Sequence, residues 1–156
     1  MNKIYKFSPI KSKGKLFDVI DYVSRNAEEL CIKIIGKSYS IKSLTIFSHY
    51  QSEYKFLLEI MNKLGSIESE HNGLYFSLSN PIITSINAIK LIRIRKPDPY
   101  RKQVGCNDFD IPDYQKFKSE YLMSRPNNLR LIERPEYEMI EFYDPDFDIL
   151  SYVLSE

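Results

Sequence analysis

The sequence has few of the residues from which common catalytic and structural motifs are built. Among its 156 residues there are two cysteines, two histidines, five glycines and no tryptophan. Two cysteines, Cys31 and Cys106, are too few for the disulfide framework of a small secreted domain, which predicts reduced thiols in a cytoplasmic protein. There is no Walker loop, dinucleotide-binding glycine motif, Cys-x-x-Cys pair, His-Glu-x-x-His motif or nucleophile elbow, so no cofactor is predicted.

The sequence also has no long apolar run and no excess of one charge. No segment approaches the ~20 consecutive apolar residues of a membrane-spanning helix, and residues 1–7 lack the apolar core of a signal peptide. We therefore expect no membrane association. The formal net charge is +1, which gives the protein as a whole no electrostatic reason to bind nucleic acid.

A chain of this length can bury one substantial core. Residues 1–14 are polar and basic and predict a loosely structured arm. From Lys15 to Ile34, apolar residues recur at helical spacing, with Ser12 as the candidate N-cap and Gly36 just past the end. The apolar stripe of this N-terminal helix predicts burial against a sheet or against a second copy of the chain in a homodimer.

The remaining chain, residues 40–156, predicts two successive β-α-β-β-β units of an α+β fold, over about 40–96 and 103–156. The first unit is predicted as a strand at 41–47, a helix at 51–64, strands at 67–70, 74–78 and 89–95, and a loop at 80–87. The second is predicted as a strand at 104–111, a helix at 114–123, and strands at 129–133, 138–143 and 148–154. The predicted core residues are Leu44, Ile46, Tyr54, Leu57, Met61, Phe109, Phe117 and Tyr121.

The second unit carries two segments that resemble those of a known superfamily. Residues 104–113, Val-Gly-Cys-Asn-Asp-Phe-Asp-Ile-Pro-Asp, are a hydrophobic strand that ends in acidic residues before a helix. Residues 142–153 form a closing hairpin around an Asp-Pro-Asp turn. These segments, in tandem units, resemble the vicinal oxygen chelate superfamily, which includes glyoxalase I and the bleomycin-resistance proteins. The resemblance implies two curved sheets, each around a cavity, with helices outside.

The same resemblance gives an expectation about metal. Metal-using members of the superfamily take ligands from the opening strand of each unit and from later strands. By motif position, those sites fall on Ser43, Cys106 and Ser151. Hydroxyls are poor primary ligands and a single thiol does not hold a metal. The sequence therefore predicts no bound metal, and His49 and His71 are predicted to be capping or solvated residues.

Alternation along the strand at 104–111 nominates Asp108 and Cys106 for the concave face. Asp108 is interpreted either as a general base or substrate anchor whose pKa burial raises, or as half of a structural salt bridge to Arg93 or Arg95. Cys106 is a candidate ligand contact, although a buried structural thiol is the commoner role of such a residue.

Glu141 is the second candidate catalytic carboxylate. It shares a strand face with Tyr137, Met139 and Tyr143, and a carboxylate among apolar and aromatic side chains is typical of ligand pockets. Tyr143 is therefore a candidate ligand-binding residue. The alternative is that this face meets solvent at the edge of the sheet.

The strand at 90–96, Lys-Leu-Ile-Arg-Ile-Arg-Lys, is the strongest charge cluster. Arg93 and Arg95 share one face and are candidates to bind a carboxylate or phosphate. A solvated face paired with acids such as Asp98, Glu133 and Glu136 is the alternative, and nucleic acid is the least favoured partner.

The leading functional hypothesis is binding of a small, anionic organic molecule in the concave sheet. Metal-independent catalysis on that molecule stays open, and the sequence does not decide whether the protein is an enzyme. The alternative hypothesis is a non-catalytic protein-interaction module that uses the N-terminal helix and the basic strand. An apolar stripe left exposed on that helix would favour the module.

Overall fold

A computed structural model describes residues 4–124 and 127–155. Within these residues the chain forms three helices and one open, mixed sheet of eight strands. The first half contains α1 (Lys13–Ile35), β1 (Ile41–Phe47), α2 (Gln51–Leu64), β2 (Gly65–Glu70), β3 (Gly73–Ile83) and β4 (Ala88–Arg95). The second contains β5 (Gly105–Phe109), α3 (Tyr114–Phe117) with a π-helical continuation (Lys118–Leu122), β6 (Leu129–Glu133), β7 (Glu138–Phe142) and β8 (Ile149–Leu154).

The helix α1 forms because its sequence supplies a cap at each end and one apolar face. The Ser12 side chain accepts a 3.1 Å hydrogen bond from the backbone N–H of Lys15. At the other end Gly36 has a φ of 80°, in the left-handed region, and its N–H donates to the carbonyl of Ile32 at 2.9 Å. The apolar face is fully covered by the sheet, with Leu16, Val19, Ile20, Val23 and Leu30 all inaccessible to solvent.

The strand order β2-β3-β4-β1-β5-β8-β7-β6 repeats one pairing scheme twice. In each half the first strand pairs in parallel with the fourth, and the fourth, third and second strands form an antiparallel meander. The halves meet where β1 runs antiparallel to β5. This confirms the predicted α+β fold of tandem β-α-β-β-β units, although the strands form one continuous sheet and not two.

All three helices cover the same face of the sheet. The core between that face and the helices includes Leu44 and Ile46 of β1, Phe76 of β3, and Phe109 and Phe142 of the second half. Six of the eight predicted core residues are buried, while Tyr54 and Tyr121 are partly buried and pack against the same cluster. The opposite, helix-free side, called the open face below, carries the alternate residues of the same strands.

The N-terminal arm is more ordered than its composition suggested. Its Tyr5, Ser8 and Ile10 are buried, and the Tyr5 ring stacks on His49 with centroids 3.9 Å apart. The backbone N–H of Ile10 donates to Glu53 Oε2 at 2.6 Å. The arm is thus attached to the first turn of α2 by a buried carboxylate, and His49 is a core residue and not a solvated one.

Other departures from prediction have local causes. The strand β3 continues to Ile83 through the predicted loop, because a register shift between Ser77 and Ile82 lets the strand pass Pro81 and pair again with β4. The predicted helix at 114–123 is α-helical for four residues and then π-helical. No helix in the described parts of the chain is long and apolar enough to cross a membrane.

Candidate functional site

The basic strand places its two arginines on the open face. Arg93 lies between Thr45 of β1 and Tyr75 of β3, because β4 pairs with both strands. Its Nε donates to Thr45 Oγ1 at 3.1 Å and its Nη1 to the His71 carbonyl at 3.1 Å. Its Nη2 lies 3.8 Å from Cys106 Sγ. These acceptors are all uncharged, so no carboxylate among the described residues neutralises Arg93 by direct contact.

Arg95 lies two residues further along the same face. Its guanidinium packs over the Phe47 ring, 4.9 Å from the centroid, and its Nη2 is 3.8 Å from Asp98. Its Nη1 is buried and has no hydrogen-bond partner in the described structure. Burial, followed by the charge of nearby Arg101, lowers the pKa of Arg95. A buried guanidinium N–H that has no hydrogen-bond acceptor destabilises the folded state.

Arg93 and Arg95 line a cavity of about 190 Å³, called the arginine cavity below. Among the described residues, four arginines contribute to its wall, since Arg101 of the link between the halves and Arg134 after β6 join the pair. The other lining residues are Phe47, His71, Asn72, Tyr75, Cys106, Asp108, Tyr137, Met139, Tyr152 and Leu154. Cations and aromatic rings therefore dominate this part of the open face.

Asp108 lies at the border of this cavity. Its Oδ2 accepts a 2.9 Å hydrogen bond from Ser43 Oγ, and no cation of the described chain lies within the 4.0 Å of an ion pair. Burial raises the pKa of the Asp108 carboxyl, while the Ser43 hydrogen bond and the charge of Arg93 act in the opposite direction. The predicted salt bridge to Arg93 or Arg95 is therefore wrong as a direct contact, and the carboxyl keeps free acceptor capacity.

Cys106 also faces the arginine cavity and is buried. Burial raises the pKa of its thiol despite the neighbouring Arg93. It is thus a neutral lining group, as the structural interpretation of this residue expected, and it stands beside the guanidinium of Arg93.

Glu141 is buried but already has its partners. It pairs with Arg130 of β6, and the Tyr152 hydroxyl donates to its Oε2 at 2.9 Å. Glu141 lies beside Tyr152, its cross-strand partner, and does not line the arginine cavity. A carboxylate held by a cation and a phenol supports the position of Tyr152, so the prediction that Glu141 is a catalytic group in the pocket has no geometric basis here.

The structure does not bring Tyr143 to the site. The strand β7 ends at Phe142, and the N–H of Tyr143 instead bonds the Asn128 carbonyl at 2.9 Å. Tyr143 is 46% exposed and is not among the residues that line the arginine cavity. The predicted strand is one residue too long at this end, and a ligand-binding role of Tyr143 stays a prediction.

The residues at the expected metal positions do not fit a metal. Ser151 faces α1, where its hydroxyl donates to Asn107 Oδ1 at 2.6 Å, so it lies on the opposite side of the sheet from Ser43 and Cys106. Ser43 is engaged with Asp108, and Cys106 is next to a guanidinium. Within the described residues no group of three histidine, cysteine, aspartate or glutamate side chains could hold a metal ion.

Several lining residues were not predicted from the sequence. Tyr75, on β3, stacks with Arg93. The second half of the chain contributes Arg134, Tyr137 and Tyr152. The alternation of β3 and β8 assigns Tyr75 and Tyr152 to one face, but only the strand order shows that this face is shared. The apolar stripe of α1, which the interaction-module hypothesis needs exposed, is buried by the sheet.

Comparisons with known proteins bear on the fold alone. No family model matches the chain, and no curated protein matches it. A solved structure, Protein EC4020 from structural genomics, is similar with a TM-score of 0.65 over 99% of this chain and 91% of that one. The sequence identity is 9%. The likeness shows that the same fold occurs in a solved protein, and at this identity it carries no function across.

Proposed function

We propose that the protein binds a small organic anion in the arginine cavity. The observation that carries this proposal is Arg93, whose guanidinium contacts only uncharged atoms among the described residues. Arg95, beside it, has a carboxylate neighbour, Asp98, only at 3.8 Å. Both guanidiniums thus have unused capacity to bind a negative charge, and both lie in the same cavity.

An anion fits this cavity for electrostatic reasons. Its described lining includes four arginines and one carboxylate, that of Asp108 at the border. The arginines are Arg93, Arg95, Arg101 and Arg134. A carboxylate or phosphate matches the planar fork of a guanidinium, and each charge-assisted hydrogen bond contributes about 1.5–3 kcal/mol. The rings of Tyr75, Tyr137 and Tyr152 supply the apolar wall that an organic ligand needs.

The proposal extends to the superfamily of the protein and to the chemistry that the site could perform. The repeated β-α-β-β-β pairing supports membership of the vicinal oxygen chelate superfamily. The donors at the family's metal positions do not fit a metal, so we derive no step through one. If the bound anion is a substrate, Asp108 is the group placed to exchange a proton with it, because its carboxyl borders the cavity and retains a free acceptor.

The proposal is tested by a thermal-shift screen of organic carboxylates and phosphates on the wild type and on Arg95→Ala and Arg93→Ala. A ligand that binds the folded state raises the melting temperature. Loss of one guanidinium should weaken the best anion about 10- to 100-fold, since ~1.4 kcal/mol corresponds to tenfold.

The matched control is Arg25→Ala, which removes an exposed arginine paired with Asp21 on α1. It changes the net charge equally and leaves the open face intact, so its affinity should equal that of the wild type. The proposal is wrong if no anion stabilises the wild type, or if all three variants respond alike.

A further inference from the structure

The open face holds a second cavity directly beside the first. It has a volume of about 390 Å³ and shares Tyr75, Asp108 and Leu154 with the arginine cavity. Its remaining lining residues are Lys42, Ser43, Ser69, Leu91, Phe109, Asp110 and Ile111. The two cavities are therefore neighbours in one depression of the open face, and Asp108 lies at their shared border.

The two ends of this depression differ in charge. Arginines dominate the first cavity, whereas the charged side chains at the second are the carboxylates of Asp108 and Asp110 and the exposed Lys42. A ligand that lies across the border meets cations at one end and carboxylates at the other. This is the complement of a molecule with separated charges of its own.

Strand geometry indicates that the arginines and Asp108 are close together. Cys106 and Asp108 are alternate residues of β5 on the same face, so their Cα atoms are about 6.6 Å apart along the strand. The Arg93 Nη2 atom lies 3.8 Å from Cys106 Sγ. An ionic hydrogen bond at each end takes ~2.8 Å, which leaves room for only a few bonds between the ligand's anion and its cation.

Building on the proposed function, we infer that the ligand is a compact amino-bearing acid. Its carboxylate or phosphate binds Arg93 and Arg95, and its ammonium group donates to Asp108. Amino acids with a short separation between amine and acid, and aminoalkyl phosphates, share this chemistry. Asp108 then sets specificity by binding the amine of the ligand. The Ser43 hydroxyl donates to the Asp108 carboxylate and holds it in place.

An ammonium group on the ligand would also explain why the Asp108 carboxyl has no cation partner in the described chain. Ser43 occupies one oxygen of Asp108, and no cation of the described chain is in ion-pair contact with the other. Burial raises the pKa of this group, so a bound cation would favour its ionised form and gain a strong hydrogen bond. A hydroxyl in the same place would gain less, because it brings no charge.

The test measures matched pairs that differ by the amine: β-alanine against propionate, and 2-aminoethyl phosphate against ethyl phosphate. Affinities for the wild type, Asp108→Asn and the control Asp18→Asn are measured by calorimetry. Asp18 is exposed on α1, so its substitution removes one negative charge far from the site. The amine lowers the net negative charge of each probe, so charge attraction by the arginines alone predicts the opposite preference.

The wild type and Asp18→Asn should prefer the amino-bearing member of a pair at least tenfold, and Asp108→Asn should lose that preference while it still binds the simple anion. Equal affinities in the wild type, or a preference that survives in Asp108→Asn, overturn this inference and leave anion binding standing. No binding of any probe overturns both. If Asp108→Asn does not fold, the wild-type comparison still tests whether the site prefers an amino-bearing anion.

Discussion

Ser43 Oγ donates a 2.9 Å hydrogen bond to Asp108 Oδ2 across the pair of strands that joins the two halves of the sheet. Each residue belongs to the opening strand of its own unit. The bond fixes a carboxyl at the centre of the open face, where the arginines of β4 also point. The centre of the sheet is thus where the polar groups of both halves meet.

The register of β5 predicts a large cost for Phe109→Ala. Phe109 is 3% exposed and packs against Phe142 with ring centroids 5.4 Å apart. Truncating a buried phenylalanine lowers the free energy of unfolding by about 3–5 kcal/mol, which urea denaturation measures. The control Ile67→Ala removes an apolar side chain that is 54% exposed on the edge strand β2, and its cost should stay within ~0.5 kcal/mol. Equal costs for the two variants would show that this register is wrong.

Glu53 should attach the N-terminal arm to the body of the protein. Its carboxylate is 2% exposed and accepts from the backbone N–H groups of His49 and Ile10 at 2.7 and 2.6 Å. In Glu53→Ala both donors lose their acceptor, at about 1–3 kcal/mol each. Limited proteolysis should then cut the arm before Ser12 much faster than in the wild type.

Glu59→Ala is the matched control for Glu53, because it removes an exposed glutamate from the outer side of the same helix. Its proteolysis rate should equal that of the wild type. An arm that stays protected in Glu53→Ala would show that Tyr5 and the other arm contacts suffice.

His49 should make the protein less stable in acid. The ring is buried, with Nδ1 2.6 Å from Ser8 Oγ and Nε2 unpartnered in the described structure. Burial lowers its pKa, opposed by Glu53, the Arg101 and Gln103 carbonyls and Asp98. The unfolded chain therefore takes up the proton first, and stability falls as the pH drops below the unfolded value of ~6.5 until the folded state is also protonated.

Melting temperatures between pH 8 and pH 5 test this prediction. His49→Gln should lose the part of the decline that begins near pH 6.5, whereas His71→Gln, at an exposed turn, should keep it. If both variants follow the wild-type curve, a different group controls the acid response.

The sequence predicted local structure well because its signals are local. The bounds of β1 and α2, the caps of α1, the shared face of Arg93 with Arg95, and the shared face of Cys106 with Asp108 each follow from periodicity or capping residues within one element. That the two pairs lie on the same face follows only from the strand order. These signals depend on neighbours a few residues away, and tertiary packing did not override them.

The rest depends on which strands lie side by side, and no local pattern gives that. Arg134 and Tyr75 are far apart in sequence and meet only because the strand order brings both halves together. Ser151 was assigned by motif position, but alternation in β8 turns it towards α1 and gives the open face to Tyr152. The end of β7 was predicted one residue late, at Tyr143, because sequence patterns are least exact at the ends of elements.

The most direct test of the account is a crystal structure of the protein with the anion that stabilises it most. We expect oxygens of the anion within about 2.7–3.2 Å of guanidinium nitrogens of both Arg93 and Arg95. An anion bound away from the open face, or an arginine cavity that is closed by other side chains, would contradict the account.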